Sequence, residues 1–133
     1  MAEQHTCEAL VIHCIDFRIQ RFLNDYLEKR FPGVYDRVAL AGGVKNLPLE
    51  QCQVSVKLHQ PKTIVLIQHE DCGAYGGSKE FKNLETEKAF QEEELQKAEQ
   101  VLKSHFSDIS IEKFFILLSG EMISIVRDVN NLE

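Results

Sequence analysis

The sequence lacks long apolar runs, an export signal and any cluster of basic residues. Its longest apolar runs cover residues 64–67 and 114–118, and both are far too short for a bilayer span of about 20 residues. The first nine residues contain an early acid and no apolar stretch, so the sequence predicts a cytoplasmic protein. With 15 Lys and Arg against 21 Asp and Glu, neither nucleic acid nor an anionic membrane is expected as a partner.

Repeats, linkers and several signature motifs are also missing. No internal repeat, Ser/Gly linker or low-complexity block divides the chain, so residues 1–133 are expected to form one domain. There is no Cys-x-x-Cys redox pair. The His-x-Glu and Pro-Cys-x-x-Cys motifs of zinc deaminases are absent, and the glycines form neither a Walker loop nor a dinucleotide fingerprint.

The chain does contain an alternation of strand-like and helix-like segments. Short apolar segments predict strands at residues 8–14, 35–41, 63–68 and 111–119. Helical spacing and breakers predict helices at residues 17–31, 46–61 and 80–106, followed by a short element at residues 122–129. This alternation indicates an α/β fold, with a mostly parallel sheet of four to five strands and helices on both faces.

Details of two predicted helices follow from the same patterns. Asn46 is expected to cap the second helix, and Cys52 is expected to lie on its inner face. The third helix is expected to turn four residues toward the core: Leu84, Leu95, Ala98 and Leu102. Its acidic residues between positions 85 and 99 are expected to form a solvated face.

The four cysteines are expected to be reduced, because no export signal is present. Cys52 is predicted to pack in the core, and Cys7, near the terminus, is predicted to have no role. Cys14 ends the first predicted strand, whereas His69 and Cys72 follow the third. Since ligands bind at the carboxyl ends of parallel strands, these two thiols and one imidazole predict a tetrahedral zinc site with a fourth position left over.

Asp16 and Arg18 lie two residues apart, directly after Cys14. A carboxylate beside a guanidinium stays ionised and can be held by a bidentate hydrogen bond. We therefore expect Asp16 to accept a proton from water at the metal. A simpler interpretation is that Asp16 caps the helix that begins near Phe17, and the two roles are compatible.

Three motifs together resemble the β-class carbonic anhydrases in residue type, order and rough spacing. They are Cys14-x-Asp16-x-Arg18, Ala41-Gly42-Gly43 and His69-x-x-Cys72-Gly73. The resemblance covers about residues 10–77. It implies a zinc ion held by the two thiolates and the imidazole, with the Asp–Arg dyad beside it. In some members this aspartate becomes the fourth zinc ligand and closes the site.

The resemblance also implies an activity, the reversible hydration of carbon dioxide to bicarbonate. The nucleophile would be a zinc-bound hydroxide oriented by the Asp16–Arg18 dyad. Backbone around Gly42, Gly73 and Gly76 is expected to hold the substrate. The family further implies a homodimer or higher homo-oligomer, because both subunits line each active site.

Several roles around this centre have weaker signals in the sequence. Phe17 and Val44, together with the partner subunit, are expected to form an apolar pocket for carbon dioxide. Tyr75 and His59 are candidates for the proton shuttle. The positions where the family often has Arg-Asn are Ala39 and Leu40, which leaves the substrate preference open.

Two alternatives remain at this point. The same scaffold also hosts hydrolases of carbonyl sulfide and carbon disulfide, so fold and zinc do not define the substrate. The other alternative is a non-catalytic, zinc-stabilised interaction module, in which protein groups including Asp16 fill all four positions of the metal.

Overall fold

A computed structural model describes residues 5–126, which build one five-stranded sheet. The strands are β1 (Ala9–His13), β2 (Tyr35–Ala39), β3 (Thr63–His69), β4 (Ser110–Ile116) and β5 (Met122–Ser124). Their order is β2-β1-β3-β4-β5, and every neighbouring pair is parallel except β4 with β5. This arrangement confirms the α/β fold with a mostly parallel sheet.

Three helices cover the two faces of the sheet: α1 (Gln20–Arg30), α2 (Leu49–His59) and α3 (Leu84–His105). Successive strand residues point to opposite faces. On one face Val11 and Val65 share a cluster with Leu23 and Leu27 of α1. On the other face Leu10, Leu66 and their neighbours share a cluster with core residues of the two later helices: Cys52, Leu95, Ala98 and Leu102. Both faces of β1 and β3 are therefore buried, which explains their continuous apolar sequences.

The start of α2 differs from the sequence prediction. Asn46 ends a short 3₁₀ turn, Gly43–Asn46, and the helix begins at Leu49 after Pro48, with no side-chain capping bond. The predicted cap is therefore wrong. The 3₁₀ turn includes Asn46, and Pro48 then takes the N-cap position, where its missing N–H breaks no helical hydrogen bond.

The start of α3 also differs. The Asn83 side chain accepts a hydrogen bond from the N–H of Thr86 at 2.9 Å, and the helix begins at Leu84 rather than at residue 80. Leu84 is 41% exposed, so its predicted burial is wrong. Leu95, Ala98 and Leu102 are buried as predicted.

The last predicted element is partly described. Its first residues form β5, which is antiparallel to β4, while residues 127–129 lie outside the described range. Among residues 5–126, none of the helices has both the length and the apolar character needed to cross a membrane.

Candidate metal centre

The candidate centre lies where the two central strands end. β1 and β3 are parallel neighbours, and the strand order changes direction between them, since β2 lies beyond β1 and β4 beyond β3. Cys14 directly follows β1 and His69 is the last residue of β3. Such a point in an α/β sheet opens a crevice at the carboxyl ends of the strands. This edge, with Cys14, His69 and Cys72, is called the carboxyl edge below.

The structure brings the three predicted ligands together. One ligand atom from each of Cys14, His69 and Cys72 lies within 4.8 Å of the others, and all three residues are buried. A short 3₁₀ turn, Gly73–Tyr75, positions Cys72, whose carbonyl oxygen accepts the N–H groups of Tyr75 at 3.0 Å and Gly77 at 2.9 Å. The loop therefore folds back on itself and returns Cys72 toward the end of β1.

The His69 ring is fixed in one orientation, with one nitrogen left over. Its Nδ1 lies 2.7 Å from the carbonyl oxygen of Glu70, so Nδ1 carries the proton and donates it there. Within residues 5–126, Nε2 is the buried side-chain nitrogen or oxygen that lacks a hydrogen-bond partner. An unpartnered buried polar atom is costly unless a ligand uses it, and a backbone-bonded imidazole is typical of histidines that bind metal.

Backbone N–H groups and neighbouring side chains set the charge state of the two thiols. The Gly42 N–H lies 3.4 Å from the Cys14 sulfur, and the Ala74 N–H donates to Cys72. The hydrogen bond from Cys72 lowers the pKa of Cys14 well below its usual value, and His69 acts in the same direction. The same hydrogen bond, together with burial, raises the pKa of Cys72. Two thiols and one imidazole in mutual reach are the donor set of a zinc site, so the residues present fit the metal.

The predicted Asp16–Arg18 pair forms beside this cluster. Arg18 donates from Nε to Asp16 Oδ1 at 3.0 Å and from Nη2 to Oδ2 at 2.7 Å. The same Oδ2 lies 3.9 Å from the unpartnered Nε2 of His69. The guanidinium lowers the pKa of Asp16 to about 2, so this carboxylate is ionised throughout the neutral range.

Asp71 holds the other side of Arg18, and sequence reasoning missed this role. Arg18 donates from Nη1 to Asp71 Oδ2 at 3.0 Å and from Nη2 to the Asp71 carbonyl oxygen at 2.9 Å. Asp71 has a φ of 60°, a left-handed conformation that Asp tolerates better than most residues. The signal available in the sequence was that Asp71 is an acidic residue between two predicted zinc ligands.

Glu87 anchors the same loop from α3. Its carboxylate accepts the N–H of Asp71 at 2.6 Å and the hydroxyl of Ser78 at 2.8 Å. Glu87 is 2% exposed, so the prediction that the whole acidic stretch is solvated is wrong at this position. A buried carboxylate with hydrogen-bonded partners ties α3 to the candidate centre.

Gln68 fixes the loop that follows β2. Its side chain accepts the Val44 N–H at 3.0 Å and donates to the Gly42 carbonyl at 3.1 Å and to Gln91 at 3.0 Å. Gly43 has a φ of 57°, and a Cβ atom there would collide with the Gln68 amide. The glycine pair is therefore required for the close approach that places the Gly42 N–H on Cys14.

His13 supports Cys14 from behind. Its Nδ1 lies 2.8 Å from the Cys14 carbonyl oxygen, and its Nε2 accepts a hydrogen bond from Arg37 at 2.7 Å. Burial lowers the pKa of His13 to about 4, so the ring is neutral at pH 7. Gln20 donates to the same carbonyl at 3.0 Å, and together these bonds fix the backbone at the first ligand.

The three glycines predicted to hold substrate lie around the centre. Gly76 donates its N–H to the Gly73 carbonyl at 3.0 Å, inside the turn. The Gly42 N–H faces Cys14. Both N–H groups already have partners in the chain, and a substrate role for Gly42, Gly73 and Gly76 stays a prediction.

The other predicted residues are divided between the two ends of the sheet. Phe17 is 84% exposed, whereas Val44 is 6% exposed in the core. The Tyr75 hydroxyl donates to Glu94 at 2.9 Å, beside the candidate centre. His59 ends α2 and bonds to Asp36, near the start of β2. It therefore lies at the opposite end of the sheet from the centre of its own chain, and a proton-shuttle role for His59 or Tyr75 stays a prediction.

Comparisons with known proteins agree with this architecture. A family model described as "Putative carbonic anhydrase" matches residues 4–126. An uncharacterized protein of Rickettsia conorii is 30% identical, over 84% of this chain and 68% of that protein. Among solved structures, a carbonic anhydrase from Glaciozyma antarctica has a TM-score of 0.69 at 18% identity, covering 93% of this chain and 85% of its own.

A second set of solved structures shows which class of carbonic anhydrase has a similar fold. Tetrameric β-carbonic anhydrases from Sordaria macrospora give a TM-score of 0.64 at 15% identity, covering 92% of this chain and 82% of theirs. The family match spans nearly all of the described residues, and the structural matches show the same overall fold. The chain therefore belongs to the carbonic anhydrase family that this model describes, with the fold of its β class.

Proposed function

We propose that this protein catalyses the zinc-dependent, reversible hydration of carbon dioxide to bicarbonate. The observation that carries the proposal is the unpartnered Nε2 of His69, which faces two buried thiols beside an ionised Asp–Arg pair. In the overall reaction, water forms one bond to carbon and loses one proton, which leaves to buffer.

Cys14, His69 and Cys72 would hold the zinc ion. When bound, zinc lowers the pKa of a coordinated water and so supplies a strong nucleophile near neutral pH. The chain's contribution is to fix two of the three ligands through backbone bonds: the Gly42 N–H on Cys14 and the Glu70 carbonyl on His69. Preformed ligand positions avoid reorganisation when the metal binds.

Asp16 is the residue that we assign to the proton of the attacking water. Its Oδ2 is the carboxylate oxygen next to the ligand cluster, and its low pKa keeps it an acceptor. Arg18 donates to both of its oxygens, which restricts the carboxylate to one orientation. An oriented acceptor aligns the remaining lone pair of the water with the carbon atom of the substrate.

We also propose that the chain works as a homo-oligomer. Ile15 and Phe17 flank Asp16 and are 58% and 84% exposed, an unusual exposure for large apolar side chains beside a buried site. A second copy that covered them would exclude water from the centre and complete the predicted substrate pocket. Phe17→Ser should shift the elution volume in size-exclusion chromatography toward the monomer, whereas an unchanged oligomer would contradict this interface.

The cellular setting is part of the same proposal. All four cysteines are free thiols, and two of them are proposed zinc ligands. A reducing compartment such as the cytoplasm keeps these thiols available for the metal.

The decisive experiment measures zinc content and turnover in the same preparation. Stopped-flow assays should show hydration of carbon dioxide by protein with one catalytic zinc per chain. Zinc at the three ligands with no hydration at any pH would overturn the enzyme proposal and favour the interaction module. Sulfide released from carbonyl sulfide faster than carbon dioxide is hydrated would favour the hydrolase. Loss of the catalytic metal with full activity would contradict the centre itself.

A further inference from the structure

A second cluster of metal-ligating side chains lies at the opposite end of the sheet, away from the proposed catalytic centre. Cys7 precedes β1 by two residues, Asp36 is the second residue of β2, and His59 is the last residue of α2. Because α2 runs back across the sheet between two parallel strands, its end returns to the level at which β1 and β2 begin. This end of the sheet, with Cys7, Asp36 and His59, is called the amino edge below.

The three ligand atoms at the amino edge lie within the same 4.8 Å limit as those at the carboxyl edge. One atom from each of Cys7, Asp36 and His59 lies within 4.8 Å of the other two. His59 Nδ1 lies 2.6 Å from Asp36 Oδ2, and the Ser55 hydroxyl donates to the same oxygen at 2.7 Å. The carboxylate and the imidazole are therefore already placed against each other.

Backbone contacts hold the cysteine in this group. The Cys7 N–H donates to the His59 carbonyl at 2.8 Å, and the neighbouring Glu8 N–H donates to Val34 at 2.7 Å. Cys7 is 8% exposed, but it belongs to neither of the two hydrophobic clusters that form the core. The Cys7 thiol donates to the Ala9 carbonyl oxygen at 3.4 Å and lies in reach of the Asp36 and His59 ligand atoms.

Space and a further donor are present beside the cluster. A cavity of about 260 Å³ is lined by Cys7, Asp36, His59 and His5, among others. The ring centroids of His5 and His59 lie 4.9 Å apart. Together the side chains offer one thiol, one carboxylate and two imidazoles, which is a mixed set that suits a borderline ion in tetrahedral coordination and disfavours Mg²⁺ or Ca²⁺.

We propose that Cys7, Asp36 and His59, with His5 as the fourth donor, form a second metal site that binds Zn²⁺ independently of the proposed catalytic centre. The ligands come from the segment before β1, from β2 and from the end of α2. Bound metal would clip these three segments together at the amino edge. A ligand that binds only the folded chain stabilises it, so the site has a structural role that does not depend on the reaction.

The test counts metal ions per folded chain. Wild-type protein is equilibrated with excess Zn²⁺, freed of loosely bound ion, and measured by elemental analysis. Cys7→Ser and His59→Gln should each remove one zinc per chain. His105→Gln is the matched control, because His105 also ends a helix, α3, but lies outside the cluster, and this variant should retain the wild-type count.

Replacing Zn²⁺ with Co²⁺, whose absorption spectrum depends on its ligands, shows which residues held the metal ion that a variant loses. The wild-type minus Cys7→Ser difference spectrum should show the charge-transfer absorption of a single thiolate bound to cobalt. The Cys72→Ser variant should keep that component and lose the two-thiolate component. The first comparison needs no Cys72 variant, so it still decides the matter if Cys72→Ser fails to fold.

Each outcome separates this site from the proposed catalytic one. A Cys7→Ser variant with the wild-type metal count and cobalt spectrum overturns the second site, whatever its activity. A fall of one metal per chain supports it, even if the carboxyl edge binds nothing and the protein hydrates no carbon dioxide. A fall that also occurs in His105→Gln would show that the loss is unspecific and would likewise overturn the proposal.

Discussion

The two edges of the sheet carry similar sets of ligand atoms with different hydrogen bonding. At the carboxyl edge, His69 gives one nitrogen to a backbone carbonyl and leaves Nε2 unpartnered. At the amino edge, the His59 Nδ1 is bonded to Asp36, and both side chains are more than a quarter exposed. A metal at the first edge satisfies an unmet group, whereas a metal at the second must compete with an existing bond and with water.

This contrast predicts that the two edges bind zinc with different affinities. The carboxyl edge has two thiols, full burial and ligands held by backbone groups. The amino edge has one thiol and partial exposure. We therefore expect zinc to fill the carboxyl edge first as metal is added. The following variants break or sharpen this comparison.

The largest effect is expected from Cys72→Ser. Loss of one of two thiolates from a three-ligand set should abolish tight zinc binding at the carboxyl edge and reduce hydration to background. Cys52→Ser is the matched control, because Cys52 is a fully buried cysteine in the core, away from both clusters. Zinc analysis and stopped-flow rates measure both variants, and activity retained by Cys72→Ser would contradict its role as a ligand.

Asp16→Asn should separate catalysis from metal binding. The amide cannot accept a proton as the carboxylate does, so the rate is expected to fall ~10²–10⁴-fold while the zinc content is unchanged. Asp25→Asn, an exposed position on α1, provides the comparison for loss of one negative charge. If Asp16→Asn keeps the wild-type rate, the assigned role of the dyad is wrong.

Asp71→Asn tests the second support of Arg18. Asn tolerates the left-handed backbone of this position but lacks the charge that faces the guanidinium. Outer-shell partners of this kind typically contribute about 10–100-fold, and we expect a lower kcat with nearly unchanged zinc content. A wild-type kcat with an altered thermal midpoint would show that Asp71 is structural only.

The smallest effect is expected from Ser55→Ala at the amino edge. Removal of one hydrogen bond to Asp36 should lower the free energy of unfolding by about 1 kcal/mol and leave hydration unchanged. Ser104→Ala removes a hydroxyl from an exposed position on α3 and serves as the reference. Chemical denaturation measures both, and a loss of activity in Ser55→Ala would show that the two edges are coupled.

The carboxyl-edge ligands could be predicted because sequence order and fold class place them together. Cys14 and His69 each end a buried apolar run, and parallel neighbouring strands end at the same edge. The Asp16–Arg18 pair needed only local spacing, since both residues belong to one short loop. Predictions of this kind depend on the direction of strands and not on side-chain packing.

The supporting residues could not be predicted in the same way. Glu87 lies in a run of acids whose pattern is typical of a solvated helix face, and its burial depends on where α3 crosses the loop that carries Asp71. The amino-edge cluster joins Cys7, Asp36 and His59 from three separate segments. No spacing rule links such residues, because their approach is decided by the crossover of α2.

The left-handed backbone at Asp71 has an evolutionary consequence. That conformation favours Gly, Asn and Asp, the contact with Arg18 removes Gly, and Asn is removed as well if Asp71→Asn lowers kcat as expected. Natural selection at this position, between two proposed metal ligands, is then confined to a single amino acid as long as Arg18 is retained. We therefore expect residues 18 and 71 to change together, or to remain unchanged together, among related sequences.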